Sequence, residues 1–351
     1  MALVHTTAEP MTPIDRTDEL RQAFAAAKQM CREHARSFFF ASFFLPQRKR
    51  EAAYAVYAFC RMIDDAIDVP DEAPLVGAAV RRTHPAISLP QIEEQQAMGG
   101  CSLDQLETRL ELLSDRLDEI YDDRLELPAV GSRSSQQHAL VAFAHTAREY
   151  EISKQYFLDV ASGCRMDLTI KRYADWPALE NYCYHVAGVV GLIMSCIFGL
   201  QHSDAKKQAV MMGNAMQLTN ILRDIKEDFD RGRIYLPQDE MKRFGYSESD
   251  LANGVVNESF RELMRFQIAR ARQLYQDGAA GLCWLAGDGS RLTASAMAVI
   301  YSGIFDAIES QRYDVFTSRA HLTTAQKIAR VPRAWKLAKR LSTEPMPILF
   351  K

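Results

Sequence analysis

The stretch QLTNILRDIKED, residues 217–228, decides how this chain is read. Gln217, Asn220, Asp224 and Asp228 recur at spacings of three, four and four, which in an α-helix lays all four on one face. Leu218, Ile221, Leu222 and Ile225 flank that stripe and give the helix an apolar body. Asp224 and Asp228 stand one turn apart, where like charges cost a helix about 0.2–0.5 kcal/mol. A second stretch, YAVYAFCRMIDDAID at 54–68, repeats the design. Tyr57, Arg61, Asp64 and Asp68 form its polar line, and Ala53, Val56, Phe59, Met62 and Ile63 are left to pack. A single charged stripe is ordinarily a solvated helix face. Two stripes of one design, each on an apolar helix and each ending in paired carboxylates, point instead to something cationic between them. Solvation also gives no reason for Tyr57, Gln217 and Asn220.

Outward from these stretches the pattern stays helical. Periodic apolar residues predict helices over 19–44, 48–69, 102–125, 136–149, 151–166, 176–200, 204–230, 257–285 and 289–311. Pro46 and Pro70 close the first two, and 231–237 breaks the pattern after the seventh. No alternating strand and no repeat of fixed period is present. The fold class is therefore all-α, a single-domain helical bundle over 19–320. A polar, mobile arm is expected at 1–18, a loop or insertion at 71–102, and a basic tail at 321–351. The run YCYHVAGVVGLIMSCIFGL, residues 182–200, contains no Asp, Glu, Lys or Arg and approaches the ~20 apolar residues of a membrane span. Gly188, Gly191 and Gly199, with the polar edge at Tyr182 and His185, fit a close-packed core helix better.

Composition narrows the class. The chain is 48% hydrophobic and 25% charged, ordinary for a globular protein. A net charge of -3 gives no sign of nucleic-acid binding. The seven cysteines are scattered without a Cys-x-x-Cys pair, and they read as reduced thiols in a cytoplasmic protein. The first ten residues hold no apolar run, so no signal peptide is expected.

Carboxylates with an amide, and no His or Cys beside them, favour a hard cation: Mg²⁺, Mn²⁺ or Ca²⁺. A di-iron bundle would carry Glu-x-x-His motifs, and the chain has none. Mg²⁺ takes one or two carboxylates and completes its shell with water and phosphate, so facing aspartate pairs predict a phosphate-bearing ligand. Arg61 and Arg223 stand beside the pairs and suit phosphate oxygens, the alternative for each being a surface ion pair. Phe38, Phe39, Phe43, Phe44, Val186, Ala187, Val189, Val190, Ile193, Met194 and Met211 each read singly as core. Together they permit a long apolar pocket below a metal–diphosphate mouth, the combination a prenyl diphosphate requires.

These residues also carry a resemblance. HARSF (34–38), YAVYAFCRMIDDAID (54–68), RMDL (165–168), YCYHVAGVVG (182–191), QLTNILRDIKED (217–228) and RGRIYLP (231–237) resemble the squalene/phytoene synthases. These are head-to-head prenyltransferases of the isoprenoid synthase fold, and the resemblance covers about residues 28–320. The wording of 217–240 and of YDVFTSRA (313–320) is most similar to the bacterial and plant phytoene synthases. The resemblance implies that Asp64, Asp68, Asp224 and Asp228, assisted by Asn220, bind Mg²⁺–diphosphate. Ser37, Tyr57, Arg61 and Arg223 would line the phosphate sites, with Gln217 one turn further in. Tyr182 would stand near a carbocation, and Tyr301 and Arg319 match family positions less closely. Tyr57, Arg61, Tyr182 and Arg223 are thus the candidate catalytic residues. Asp167 of RMDL reads either as an inward polar residue or as a helix-end carboxylate.

The implied reaction joins two prenyl diphosphates through a cyclopropyl diphosphate. Geranylgeranyl donors would give phytoene; farnesyl donors would give presqualene diphosphate, dehydrosqualene or squalene, the last needing NADPH. Small residues at Ser42, Ala187 and Gly191 would set pocket depth, and Ser42 favours the longer donor. Two departures from the family pattern, a long 71–102 segment and no tryptophan in 290–299, leave the product open. A terpene cyclase would carry an Asn-Ser/Thr-Glu triad in place of the second aspartate pair, and a non-catalytic lipid-binding subunit would have lost an aspartate. An apolar product implies a peripheral membrane contact of a cytoplasmic enzyme, and the basic tail reads either as a segment that touches anionic lipid or as a solvated terminal helix.

Overall fold

Helices α1 (Asp18–His34) and α2 (Arg36–Ser42) open the architecture. The computed structural model describes residues 17–68, 103–203 and 205–340, with side chains for all of these except 66–68 and 103–106. The expectations for the arm, for 71–102 and for the end of the tail lie outside the described residues. The single helix predicted over 19–44 breaks at Ala35, whose φ of −124° and ψ of 56° leave the helical region. Nothing in local propensity marks this break; packing imposes it, and it turns Ala35 and Phe38 toward a cavity.

Helix α3 (Gln47–Asp68) starts directly after Pro46 and carries the first aspartate stripe. Ala52, Ala53, Tyr54, Ala55, Val56, Ala58, Phe59, Met62 and Ile63 are all buried, and Tyr57, Arg61 and Asp64 of the stripe lie outside that core. Phe59 stacks on Phe143 at 3.8 Å between ring centroids and meets Phe157 edge-on. Helices α4 (Leu103–Tyr121), α5 (Ser135–Glu149) and α6 (Lys154–Thr169) complete this half. A capping box between Ser134 and Gln137 fixes the start of α5.

The apolar run predicted over 176–200 is α7 (Trp176–Cys183), one π-helical turn over Tyr184–Gly188, and α8 (Val189–Phe198). Helix α9 (Ala205–Arg223) follows, and α8 packs against α3, α6 and α9. The contact with α9 is backbone to backbone. A Cβ on Gly191 would lie 2.3 Å from the Ala209 carbonyl oxygen, and one on Gly213 2.2 Å from that of Ala187. Only glycine permits this approach.

The predicted helix over 204–230 is kinked. Asp224 takes φ −105° and ψ 17°, separating α9 from α10 (Ile225–Asp230), although the backbone bonds from Asp224 to Asn220 and from Asp228 to Asp224 persist. Short helices α11 (Gln238–Arg243) and α12 (Glu248–Ala252) occupy a region with no predicted helix. Helices α13 (Glu258–Ala279) and α14 (Ser290–Ser310) pack on α9. The basic segment after residue 320 includes α15 (Thr324–Ala338), which lies on α14 with Ala334 and Leu337 buried. Trp176–Phe198 and Ser290–Ser310 are long and apolar enough to cross a membrane by length and composition; here both pack into the bundle. Among the described residues there is no strand, only the isolated bridges Arg172–Ile234 and Leu200–Leu285. The cysteines Cys31, Cys60, Cys164, Cys183, Cys196 and Cys283 are free thiols.

Candidate active site

Helices α3 and α9 bring their stripes to one polar cavity of about 300 Å³. Arg61 and Asp64 from α3, Gln217, Asn220 and Asp224 from the end of α9, and Asp228 from α10 all line it. Tyr182 and Asp167 face it from α7 and α6. A second cavity of about 330 Å³ adjoins it and is lined mainly by apolar groups of α3, α8, α9 and α14. Cys60, Val186, Val190, Gln217 and Asn220 belong to both walls, so the polar chamber opens onto the apolar one. The π turn sets this junction, because Val186 lies inside it and Val190 one turn later.

Charge in the polar chamber is unevenly balanced. Asp224 is gripped from two sides: Arg223 Nε donates to Oδ1 at 2.7 Å, and Arg319 forks onto both oxygens at 2.7 and 2.9 Å. Burial pushes the Asp224 carboxyl up, but the two guanidiniums outweigh it and hold it below the usual range. Asp228 behaves oppositely. Burial, and then the negative charges of Asp224 and Asp167, push its carboxyl up to about 7. Asp64 accepts from the Cys164 thiol at 3.5 Å. Arg61 pairs with Asp65 at 2.5 Å while its Nε is buried without a partner among the described residues.

That donor set fits a divalent cation with a diphosphate. The oxygen atoms of Asp64, Asp224, Asp228 and Asn220 are hard ligands, and the Asp228 carboxyl is raised by burial first and then by the neighbouring negative charges, which a cation would offset. Among the described residues no three carboxylate, imidazole or thiol side chains converge as a ready cage. An ion that takes one or two carboxylates and fills its shell from phosphate and water suits so open an arrangement. Arg61 lines the same chamber, and its guanidinium suits an anion there.

Other predicted residues are placed differently. Tyr57 and Tyr301 line the apolar chamber only, and burial raises the pKa of both. Ser37 is half-buried on α2 and lines neither chamber, because its neighbour Phe38 takes the inward position. The Asp68 side chain lies outside the described residues. Ala187 and Gly191 line the apolar chamber, but Ser42 does not: it is fully buried and bonded to the Tyr54 hydroxyl at 2.7 Å. Phe38, Val186, Val190 and Met194 reach the chamber, whereas Val189 and Ile193 are core and Phe43 is 59% exposed.

Sequence reasoning assigned no role to Arg231, Arg233 and Tyr235, which line the polar chamber beside Asp228. They follow the α10 helix in RGRIYLP, where Gly232 takes φ +77° and no periodicity exists to show which side chains turn inward. The motif wording was the one available signal. Asp167, left between two readings, faces the chamber and accepts from Tyr182 and Tyr235.

Comparison with known proteins agrees with this geometry. The family model described as squalene/phytoene synthase matches residues 31–326. A 15-cis-phytoene synthase of Synechocystis sp. is 33% identical over 92% of this chain and 87% of its own length. One from Synechococcus elongatus is 34% identical over 93% and 96%. Among solved structures, a dehydrosqualene synthase superposes with a TM-score of 0.74 at 25% identity, covering 92% of this chain and 98% of the other. A squalene synthase from Alicyclobacillus acidocaldarius gives 0.68 at 22%, a likeness of fold, covering 85% of this chain and 97% of the other. With paired aspartate helices facing one chamber and the family match spanning nearly all the described residues, the chain belongs to the squalene/phytoene synthase family.

Proposed function

We propose that the protein condenses two geranylgeranyl diphosphates head to head, through a cyclopropyl diphosphate, to phytoene, a step of carotenoid biosynthesis. One observation carries this reading: a carboxylate- and arginine-lined chamber opens directly onto an apolar one. Support for the donor comes from relatives named phytoene synthase at 33–34% identity over most of the chain. The farnesyl alternative draws on the dehydrosqualene synthase neighbour at 25% identity, and is the more distant likeness.

Asp64, Asp224, Asp228 and Asn220, with Asp68, would hold divalent cations, Mg²⁺ or Mn²⁺. When bound, these supply positive charge against the leaving diphosphate. Arg61, Arg223, Arg231, Arg233 and Arg319 stand where they neutralise the same group. The first C1–O bond breaks, and the resulting allylic cation is taken by the double bond of the second donor, with loss of a proton. A second ionisation opens the cyclopropane, and a further proton loss gives the hydrocarbon. Apolar walls from α3, α8, α9 and α14 keep water from the cation. NADPH is needed only for a squalene-type product, where hydride replaces the final proton loss.

A membrane-associated cytoplasmic location is part of the proposal. The product has no polar group, and α15 carries Lys327, Arg330, Arg333 and Lys336 with Ile328 and Trp335 more than half exposed. The test is incubation with Mg²⁺ and either donor, with and without NADPH, followed by identification of the hydrocarbons. Phytoene from geranylgeranyl diphosphate without NADPH is expected, and Asp64→Ala is expected to lower the rate by at least ~10²-fold while the fold persists. Absence of product from either donor would refute the synthase reading, and a thirty-carbon product would establish the alternative.

A further inference from the structure

Three tyrosines stack beside the polar chamber around one carboxylate. Tyr173, Tyr182 and Tyr235 are each more than nine-tenths buried, with ring centroids 5.0–5.8 Å apart. The parallel bridge Arg172–Ile234, closed by Ile234 N–H to the Lys171 carbonyl at 3.0 Å, sets Tyr173 beside Tyr235. Asp167 sits near the end of α6 and receives both phenols of the pair facing the chamber. Tyr182 donates to Oδ2 at 3.1 Å and Tyr235 to Oδ1 at 2.6 Å. The two phenol oxygens are themselves 3.3 Å apart.

We propose that Asp167 is a positioning residue for the reaction, acting through Tyr182. A phenol has one proton and two lone pairs. In a chamber that takes a diphosphate, the strongest competing acceptor for the Tyr182 proton is the substrate's own phosphate oxygen. A phenol bonded there would follow the leaving group. The Tyr182 proton has two acceptors here, Asp167 Oδ2 at 3.1 Å and the Tyr235 hydroxyl at the longer 3.3 Å, and spent on this cluster it is not given to the diphosphate. Tyr182 lines the polar chamber together with Val186, Val190 and Gln217, which also wall the apolar one, so an oriented phenol stands where the proposed carbocation would pass from one to the other. Tyr235 shares the carboxylate and holds its second oxygen. Asp167 is therefore an acceptor for tyrosines, set apart in role from the carboxylates of the two stripes. Lys171 Nζ donates to the Asp167 backbone carbonyl at 2.9 Å.

This inference rests on the prenyl diphosphate reading of the chambers, and wild-type turnover of geranylgeranyl or farnesyl diphosphate, measured first, tests that reading separately. The experiment is a double-mutant cycle on Asp167→Asn and Tyr182→Phe, with steady-state kinetics, Mg²⁺ titration and binding of a non-ionising thiolo-diphosphate analogue. Asp167→Asn is expected to lower kcat by roughly 10–100-fold, the usual effect of losing an orienting partner, with KM and analogue affinity within about threefold of wild type. In the Tyr182→Phe background the same substitution is expected to change kcat by less than about threefold. Asp167→Glu is expected to recover part of the rate. A full Asp167→Asn effect in the Tyr182→Phe background, or a tenfold loss of analogue affinity or a raised Mg²⁺ requirement, would overturn the proposal by making Asp167 a diphosphate or cation ligand. The analogue measurement does not require turnover, so a variant that binds normally is shown to be folded.

Discussion

Two carboxylates four residues apart, Asp224 at the kink between α9 and α10 and Asp228 within α10, sit in opposite electrostatic environments. Asp224 is held ionised by Arg223 and Arg319, and Asp228, buried near Asp224 and Asp167, is pushed up to about 7. The sign of the Asp228 effect is definite. A carboxyl raised from 3.8 to about 7 stabilises the fold at pH values below its unfolded pKa and loses that contribution as pH rises through 7. Asp228→Asn is therefore expected to stabilise the metal-free protein at pH 8 by roughly 1 kcal/mol, a figure reduced for its half-buried position, and by less than half as much at pH 5, since the effect builds up between the unfolded and folded pKa values. Thermal melts at the two pH values check this, and a difference that does not change with pH contradicts it. Asp224, Asp228, Asn220, Gln217, Arg61 and Asp64 were legible from spacing alone, because a helix converts a spacing of three or four into a face. Arg231, Arg233 and Tyr235 were not, because an irregular turn around Gly232 has no such rule. Ser42 was misplaced because a small residue near a pocket and a small residue bonded to Tyr54 look alike in sequence.

At the scale of helices, periodicity located the long elements and missed what tertiary packing imposes on them. The break at Ala35, the π turn over Tyr184–Gly188 and the kink at Asp224 all interrupt segments whose pattern continues. Each of the three touches a chamber wall. The short helices α11 and α12 lie below the length at which a 3.6-residue period declares itself. The glycines of the apolar run were legible as close packing, and the structure names their partners. Gly191→Ala would force a Cβ to 2.3 Å from the Ala209 carbonyl, and is expected to destabilise by about 1–3 kcal/mol and to displace the α9 wall of the apolar chamber. Gly131→Ala, with no atom within 4 Å of its Cβ, is expected to stay within about 0.5 kcal/mol of wild type. Equal melting temperatures for the two variants would contradict the account of how α8 meets α9.

Across the whole molecule, α3 with α6 on one side and α9 with α13 and α14 on the other enclose two chambers of opposite character, with α8 packed against both α3 and α9. Composition and periodicity fixed the all-α class, and the apolar faces implied a pocket, but neither showed where the polar chamber ends and the apolar one begins. That boundary runs through Cys60, Val186, Val190, Gln217 and Asn220, which come from three separate stretches of sequence. It is also the boundary across which a charged head and a greasy tail must divide for the proposed chemistry to occur. The most direct test is a crystal structure with Mg²⁺ and the thiolo analogue of geranylgeranyl diphosphate. The diphosphate is predicted to lie among Asp64, Asp224, Asp228 and Arg61, with the prenyl chain crossing Val186 and Val190 into the chamber walled by Ala187, Gly191 and Met297. A diphosphate bound elsewhere, or a prenyl chain that leaves the apolar chamber unfilled, would contradict it.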